Sequence, residues 1–234
     1  MKSPVFALLL AAVIPCATMA ATTLIDPALH NGGFETRTAA TYADGSDWFN
    51  YGAAPETTAV YGSTKYAGTY GGTVSLASNP SVATGWAVAS GDVYNLNFYG
   101  YSTNVSLLAA TPIVWSLYYY STESDVGFDK TTATSGVTLF SGNVTNTAIT
   151  ANSTWTSVSS TALDTLSLDG TALANAAGKT LYLRFYRTAG DGTFPVIDNV
   201  TLTATAVPEP SAYGLLGAGT LAAFAGLRRR RSAR

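Results

Sequence analysis

The sequence predicts an all-β protein whose main domain is an antiparallel sandwich. Short stretches of alternating apolar and polar residues recur through most of the chain, and Gly, Asn, Asp and Ser separate them. No stretch sustains the periodicity of an amphipathic helix, and no internal repeat is visible. About eight or more short strands in one domain are typical of two packed antiparallel sheets.

The clearest predicted strand is 93–101, where alternation places Tyr94, Leu96 and Phe98 on a core face. The segment 113–120 also alternates, but both of its faces are bulky, so its core face is left open. Only 170–177 is expected to form a helical turn or short helix. Further strands are predicted at 24–25, near Trp48, and at 60–61, 72–76, 86–88, 137–140, 154–158, 181–187 and 196–203.

The first 21 residues have the layout of a secretory signal peptide. Lys2 precedes an apolar run at 5–14, and small residues follow at 17–21. We expect a signal helix that is cleaved after Ala20 or Ala21. The single cysteine lies inside this segment and follows a proline, so lipid attachment is not expected. The mature protein would then contain no cysteine and no disulfide.

Residues 207–234 form a second predicted signal. Two prolines around one carboxylate interrupt any strand or helix, because proline lacks an amide donor and has a fixed φ. The uncharged run 212–227 is shorter than the roughly 20 residues of a permanent spanning helix, which favours a temporary membrane helix. Basic residues after an apolar run keep the C-terminus in the cytoplasm. The proline motif is Pro208, Glu209 and Pro210, and the basic cluster is Arg228, Arg229, Arg230 and Arg231.

The proline triplet, the apolar run and the arginine cluster together resemble a PEP-CTERM sorting signal, found on exported bacterial proteins handled by exosortases. The resemblance covers only about the last 28 residues. It implies an exosortase-type partner, a transient inner-membrane anchor and delivery to the cell surface or extracellular matrix. An ordinary C-terminal membrane helix with a chance proline pair is the alternative.

The body between the two signals, 22–206, is predicted to be one domain. It carries thirteen acidic and six basic residues, a net charge of −7 that the arginine-rich tail conceals in the whole chain. Nucleic-acid binding needs a basic surface, so no nucleic-acid partner is expected.

Five motifs of the body, in their order, resemble the galactose-binding-like jelly roll of many carbohydrate-binding modules. The resemblance extends over about 24–204 and implies that the sandwich is a jelly roll. The same fold also serves as a structural module in surface proteins, so function has to come from the site. The motifs are Asn-Gly-Gly-Phe-Glu at 31–35, Gly-Asp-Val-Tyr-Asn-Leu-Asn-Phe at 91–98, Thr-Trp-Thr at 154–156, Leu-Tyr-Leu-Arg-Phe at 181–185 and Ile-Asp-Asn-Val at 197–200.

Glu35 and Asp198 lie near the two ends of the body, and the resemblance implies that they meet at a structural calcium. Two carboxylates with backbone carbonyls from neighbouring turns make an oxygen-only site that suits Ca²⁺. Asp26 is a less supported third ligand. In the alternative interpretation, Glu35 caps a turn and Asp198 hydrogen-bonds to the loop backbone. No organic cofactor is expected.

A glycan-binding platform is predicted from polar and aromatic residues that would share one face if their strands are neighbours. Flat aromatic rings with amide and guanidinium donors match the apolar faces and hydroxyl rims of sugars. Alternatively, the tyrosines only stabilise the sheet through cross-strand pairs. All four tryptophans are expected in the core. The platform residues are Asn95, Asn97, Tyr99, Tyr101, Tyr182, Arg184 and Tyr186.

No catalytic motif is recognisable: the single histidine, His30, lies in a turn, and the carboxylate pairs lie in polar loop sequence. Those pairs are Glu123 with Asp125 and Asp164 with Asp169. The sequence therefore predicts an exported, non-enzymatic cell-surface or matrix protein that binds exopolysaccharide. The alternatives are a structural surface protein without glycan binding and, with less support, a surface glycoside hydrolase.

Overall fold

A computed structural model describes residues 20–35, 48–52, 61–76, 78–130, 132–189 and 195–206. These residues form two antiparallel sheets and two short helices, α1 (Val105–Ala110) and α2 (Gly170–Ala176). The strands in chain order are β1 (Thr22–Ile25), β2 (Trp48–Asn50), β3 (Tyr61–Gly62), β4 (Gly71–Thr73), β5 (Pro80–Ala87), β6 (Val93–Tyr101), β7 (Ile113–Tyr120), β8 (Gly136–Val144), β9 (Thr156–Asp164), β10 (Thr180–Tyr186) and β11 (Val196–Thr205).

The sheets divide the strands in a way that local sequence does not reveal. Sheet 1 has the order β3-β4-β11-β6-β9, and β1 also pairs with β11. Sheet 2 has the order β2-β5-β10-β7-β8. The first and last strands are thus hydrogen-bonded to each other, and the core cluster of the described residues runs from Leu24 to Ala204. The two ends of the body therefore meet in sheet 1.

The core lies between the sheets and follows the predicted alternation. Tyr94, Leu96 and Phe98 of β6 are buried, as expected. Phe98 meets Phe185 of β10 at 4.9 Å between ring centroids, which locates the inward face of each sheet. Phe185 is opposite Trp115 of β7, so Trp115 also points inward.

Strand β7 is buried on both faces, which answers the question that its sequence left open. Its outward side chains Tyr118 and Tyr120 lie beneath the chain that links β7 to β8. Tyr120 donates a hydrogen bond to the carbonyl of Lys130 at 2.9 Å and packs edge-on against Phe128. Tyr51 covers Tyr118 from the other side, with ring centroids 5.5 Å apart.

Helix α1 was not expected from the sequence, because six residues are too few to show a helical period. Two asparagine side chains accept hydrogen bonds from the free amides at its N-terminus. The Asn104 side chain accepts a hydrogen bond from the amide of Ser106, and the Asn152 side chain accepts one from the amide of Val105. Helix α2 forms where the short helix was predicted, capped by Asp169.

The predicted terminal helices lie outside the described residues, as do the proline motif and the arginine cluster. Among the residues that are described, no helix is long and apolar enough to cross a membrane.

The turn between β5 and β6 is built around a buried carboxylate. Asp92 is 1% exposed, and its Oδ2 accepts hydrogen bonds from the Trp86 indole, the Ala89 amide and the Tyr94 hydroxyl at 2.8, 2.9 and 2.9 Å. Burial and the neighbouring Asp92 charge raise the pKa of Tyr94, so this phenol stays protonated and remains a donor. Asp92 therefore ties the end of one sheet to the start of the other.

We expect Asp92→Ala to lower the free energy of unfolding by about 3 kcal/mol, since three donors lose a charged acceptor. This corresponds to a melting temperature lower by about 9 °C. Asp92→Asn keeps an oxygen for the same donors and should lose less than half as much. Thermal unfolding followed by circular dichroism measures both variants, and equal losses would show that the hydrogen bonds are not what stabilises the turn.

Candidate functional site

The seven predicted platform residues do not share one face, and this part of the prediction is wrong. Strand β6 pairs with β9 and β11 in sheet 1, whereas β10 pairs with β5 and β7 in sheet 2. The two strands alternate in the same way, but their outward faces lie on opposite sides of the sandwich. Asn95, Asn97, Tyr99 and Tyr101 lie on sheet 1, and Tyr182, Arg184 and Tyr186 lie on sheet 2.

On sheet 1, two of the predicted tyrosines belong to a cluster of four rings, which we call the aromatic face: Tyr66, Tyr99, Tyr101 and Trp155. Tyr66 stacks on Tyr99 with ring centroids 3.7 Å apart and planes 11° from parallel. Trp155 lies 5.1 Å from Tyr101 and 5.8 Å from Tyr66. Tyr66 is 42% exposed, and the other three rings are partly exposed.

Polar, uncharged groups continue the aromatic face along β6 and β9. The Asn97 side-chain oxygen accepts a hydrogen bond from the Ser159 hydroxyl at 2.6 Å. The Asn95 side-chain oxygen accepts one from the amide of Ala162 at 3.0 Å. These bonds fix the orientation of both amides, whose NH₂ groups are then the available donors in each side chain.

Glu35 and Asp198 hold the loop that carries Tyr66, and we call this pair the carboxylate clamp. Asp198 Oδ2 accepts hydrogen bonds from the amides of Tyr66 and Ala67 at 2.8 and 3.1 Å. Both Glu35 oxygens accept from the amide of Thr69, at 2.8 and 2.7 Å. The backbone of the loop is thereby fixed at two points, and the Tyr66 ring is placed over Tyr99.

The Asp198 carboxyl of the clamp is buried and lies near a second carboxyl group, that of Glu35. Asp198 is fully buried, and this burial raises its pKa, although hydrogen bonds from backbone amides oppose the rise; the nearby Glu35 charge raises it further. The loop also approaches Glu35 closely at Gly68, which has a φ of +62°. A Cβ at this position would displace the Glu35 carboxylate, and the positive φ also favours glycine.

The clamp matches the predicted calcium ligands in position, since both carboxylates face one loop. Their oxygens already accept backbone N–H groups, as in the alternative interpretation. Within the described parts of the chain, no three Asp, Glu, His or Cys side chains gather. The site thus fits Ca²⁺ only if backbone carbonyls and water complete the six to eight oxygens that the ion takes. Asp26 instead caps the turn at Leu29–Asn31 through the amides of Ala28 and Leu29.

On sheet 2, Arg184 lies between two tyrosine rings, and we call this group the tyrosine–arginine stack: Tyr51, Arg184 and Tyr186. The guanidinium carbon is 4.2 Å from the Tyr51 ring centroid and 4.3 Å from that of Tyr186. Tyr182, the remaining predicted residue on this sheet, is buried, and its hydroxyl donates a hydrogen bond to Glu123 at 3.0 Å.

Three of the four carboxylates considered as glycosidase pairs take part in local hydrogen bonds: Glu123, Asp164 and Asp169. Glu123 also accepts from the amide of Thr180 at 3.1 Å. Asp164 caps the turn at Thr165–Ser167, and Asp169 caps α2.

Sequence reasoning missed Tyr66 and misplaced Trp155, which was expected in the core. The sequence did indicate an outward position for Trp155. Side chains alternate along a strand, and Trp155 lies two and four residues before Ser157 and Ser159, which are the outward polar positions of β9. No such signal existed for Tyr66, which lies in a Gly-rich loop without strand alternation.

Beyond the described residues, the tail has a sequence match of its own. Residues 206–231 match the family model of the PEP-CTERM protein-sorting motif. The tail is a PEP-CTERM sorting motif. The match confirms the predicted sorting signal and includes its proline triplet and arginine cluster. A PEP-CTERM tail indicates an exported protein that is anchored transiently in the membrane and processed by an exosortase-type system.

The body is a sandwich of two antiparallel sheets, and solved structures resemble it. A cyclase from Fischerella sp. TAU matches with a TM-score of 0.50 and 14% identity, covering 81% of this chain and 100% of the cyclase. A tandem of CBM22 modules from Paenibacillus barcinonensis matches with a TM-score of 0.45 and 15% identity, covering 83% of this chain. The chain spans 48% of that tandem. At 14% identity the likeness to the cyclase shows the fold alone, and no curated protein matches the sequence significantly.

Proposed function

We propose that the protein is an exported, non-enzymatic module that binds polysaccharide through the aromatic face of sheet 1. The observation that carries the proposal is a partly exposed group of four rings beside a row of oriented amides and hydroxyls. The loop that supplies Tyr66 is fixed by the carboxylate clamp, so the ring is preorganised before any ligand arrives.

The chemistry of this face matches sugar. Pyranose rings expose C–H groups that pack against flat aromatic rings, and their hydroxyls pair with amides and hydroxyls of the protein. The neighbouring outward residues Asn97, Ser157 and Ser159 are uncharged, which suits a neutral glycan.

Local use of the carboxylates supports a non-enzymatic role. A glycosidase needs two carboxyl groups that flank the scissile bond. Glu123, Asp164 and Asp169 instead bind the backbone or a neighbouring tyrosine. The likeness to a cyclase concerns the fold alone and does not identify a catalytic residue in this chain.

A structural surface protein without glycan binding is the second candidate. The direct stacking of Tyr66 on Tyr99 favours it, because such ring pairs stabilise a sheet without any ligand. In either case we propose that the tail delivers the body to the cell surface or extracellular matrix after exosortase processing.

Single substitutions on the aromatic face test the proposal. We expect Trp155→Ala and Tyr66→Ala each to weaken binding of the body, 22–206, to exopolysaccharide by about tenfold, since central aromatic contacts dominate such interfaces. Tyr66→Phe keeps the ring and should bind like the wild type. Affinity electrophoresis in gels that contain the polysaccharide measures the change. If all three variants migrate like the wild type, binding does not use this face.

A further inference from the structure

Arg184 presents an unusual cation on the outer face of sheet 2. Among the described residues, its guanidinium donates one hydrogen bond, from Nε to Ser116 Oγ at 3.4 Å, and forms no salt bridge. Its other close contacts are with the rings of Tyr51, Tyr118 and Tyr186. Within the described parts of the chain, the Nη groups make no hydrogen bond, and Arg184 is partly exposed.

The guanidinium is held in place from both sides. The Tyr51 hydroxyl donates to the carbonyl of Thr134 at 3.0 Å and accepts from the amide of Gly136 at 3.2 Å. The Tyr51 ring also lies nearly parallel to that of the buried Tyr120, with planes 8° apart. A ring fixed in this way, with Tyr186 on the other side, restricts the rotation of Arg184. The cation is thus preorganised, and none of the described carboxylates pairs with it.

Charge and geometry together define the occupant. Arginine presents a planar fork that matches a carboxylate in a bidentate way. The body has a net charge of −7, which repels anionic polymers in general, so a guanidinium has to supply the local attraction for the carboxylate of an anionic ligand. An acidic sugar combines a carboxylate for the guanidinium with a ring whose C–H groups can pack against tyrosine. Asn143 and Ser141 are exposed on the edge strand β8, which β7 separates from β10, and they supply further polar groups.

We infer that the tyrosine–arginine stack is a second binding site, separate from the aromatic face, and that it takes the carboxylate of a uronic acid in a polysaccharide. Arg184 binds the carboxylate, and Tyr51 and Tyr186 position Arg184 and line the site. The two sites lie on opposite sides of the sandwich, so the loss of one leaves the other intact.

Binding of the body to polygalacturonate and to its fully methyl-esterified form tests the inference, because the two polymers differ only in free carboxylates. We expect wild-type affinity for the free acid to exceed that for the ester by about tenfold or more. Arg184→Gln should remove this preference. Arg184→Lys should reduce it, since lysine keeps the charge but loses the fork. Trp155→Ala, on the opposite face, should leave it unchanged.

Equal wild-type affinity for both polymers, or an undiminished preference in Arg184→Gln, would overturn the inference. Circular dichroism melting shows whether Arg184→Gln is folded. If that variant is unfolded, the comparison moves to the wild type with short galacturonate oligomers and their methyl esters, followed by tyrosine fluorescence. A response to the acid alone supports the site, and equal or absent responses reject it. Loss of binding to neutral polysaccharide concerns the aromatic face and leaves this result unaffected.

Discussion

Deletion of residues 207–234 is expected to release the body into the medium and to abolish its attachment to the cell. The deleted segment contains nearly all of the PEP-CTERM match, including the apolar run and the arginines, which we expect to hold the C-terminus inside. Without them the exported chain has no membrane stop and no processing site. Cell fractionation followed by immunoblotting measures the distribution between membrane, surface and medium.

A matched variant separates anchoring from processing. Replacing Pro208 and Pro210 with alanine leaves the apolar run and the arginine cluster unchanged. This variant should stay in the membrane at its unprocessed size, because only the sorting triplet is altered. Surface attachment of the deletion variant at the wild-type level would contradict a sorting role for the tail.

Replacement of Asp198 with alanine is expected to cost about 3 kcal/mol or more of unfolding free energy. The amides of Tyr66, Ala67 and Asn199 all donate to this buried carboxylate, and they would lose their acceptor together. The loop would also release Tyr66 from Tyr99. We therefore expect polysaccharide binding to fall along with the melting temperature, whereas Asp92→Ala should lower the melting temperature without reducing binding by the folded protein.

Calcium at the carboxylate clamp remains a prediction. The raised pKa of Asp198 predicts the direction in which stability changes with pH, and this direction can be measured. In the absence of a cation, protonation of Asp198 favours the folded state, so its contribution to stability is present at low pH and is lost as pH rises through the raised pKa. A bound Ca²⁺ would favour the ionised form and reverse this trend.

Melting temperatures from pH 4 to 7, measured with calcium and with a chelator, show which way stability changes with pH in each case. Stabilisation by calcium near neutral pH, absent from a Glu35→Gln, Asp198→Asn double variant, supports the metal. Identical melting curves with calcium and chelator throughout the range would leave the clamp as a purely hydrogen-bonded anchor of the loop.

Local patterns predicted the strands better than they predicted the faces. Strand β6 was predicted with its bounds and its core side chains, because its alternation is clean and its interior face is apolar. Its separation from β10 depends on which strands pair across distant parts of the chain, and period-two alternation carries no such information. The predicted platform was therefore divided between the two sheets.

The clamp and the aromatic face also depend on contacts between distant parts of the chain, which local sequence patterns do not predict. Glu35 and Asp198 were paired through a resemblance of ordered motifs, and in the structure both carboxylates accept hydrogen bonds from the loop that carries Tyr66. Tyr66 stacks on Tyr99 because the loop between β3 and β4 folds back over β6. No local sequence pattern encodes this fold of the loop. The helix that Asn104 caps has only six residues, too few for a helical period to reveal it.

The most direct test of polysaccharide binding is a depletion isotherm of the body, 22–206, on polysaccharide secreted by the cells that produce the protein. We expect saturable retention of the wild type and little retention of a Tyr66→Ala, Trp155→Ala double variant that melts cooperatively. Absence of wild-type retention, or equal retention of both proteins, would contradict glycan binding by the aromatic face and favour a structural role for the jelly roll.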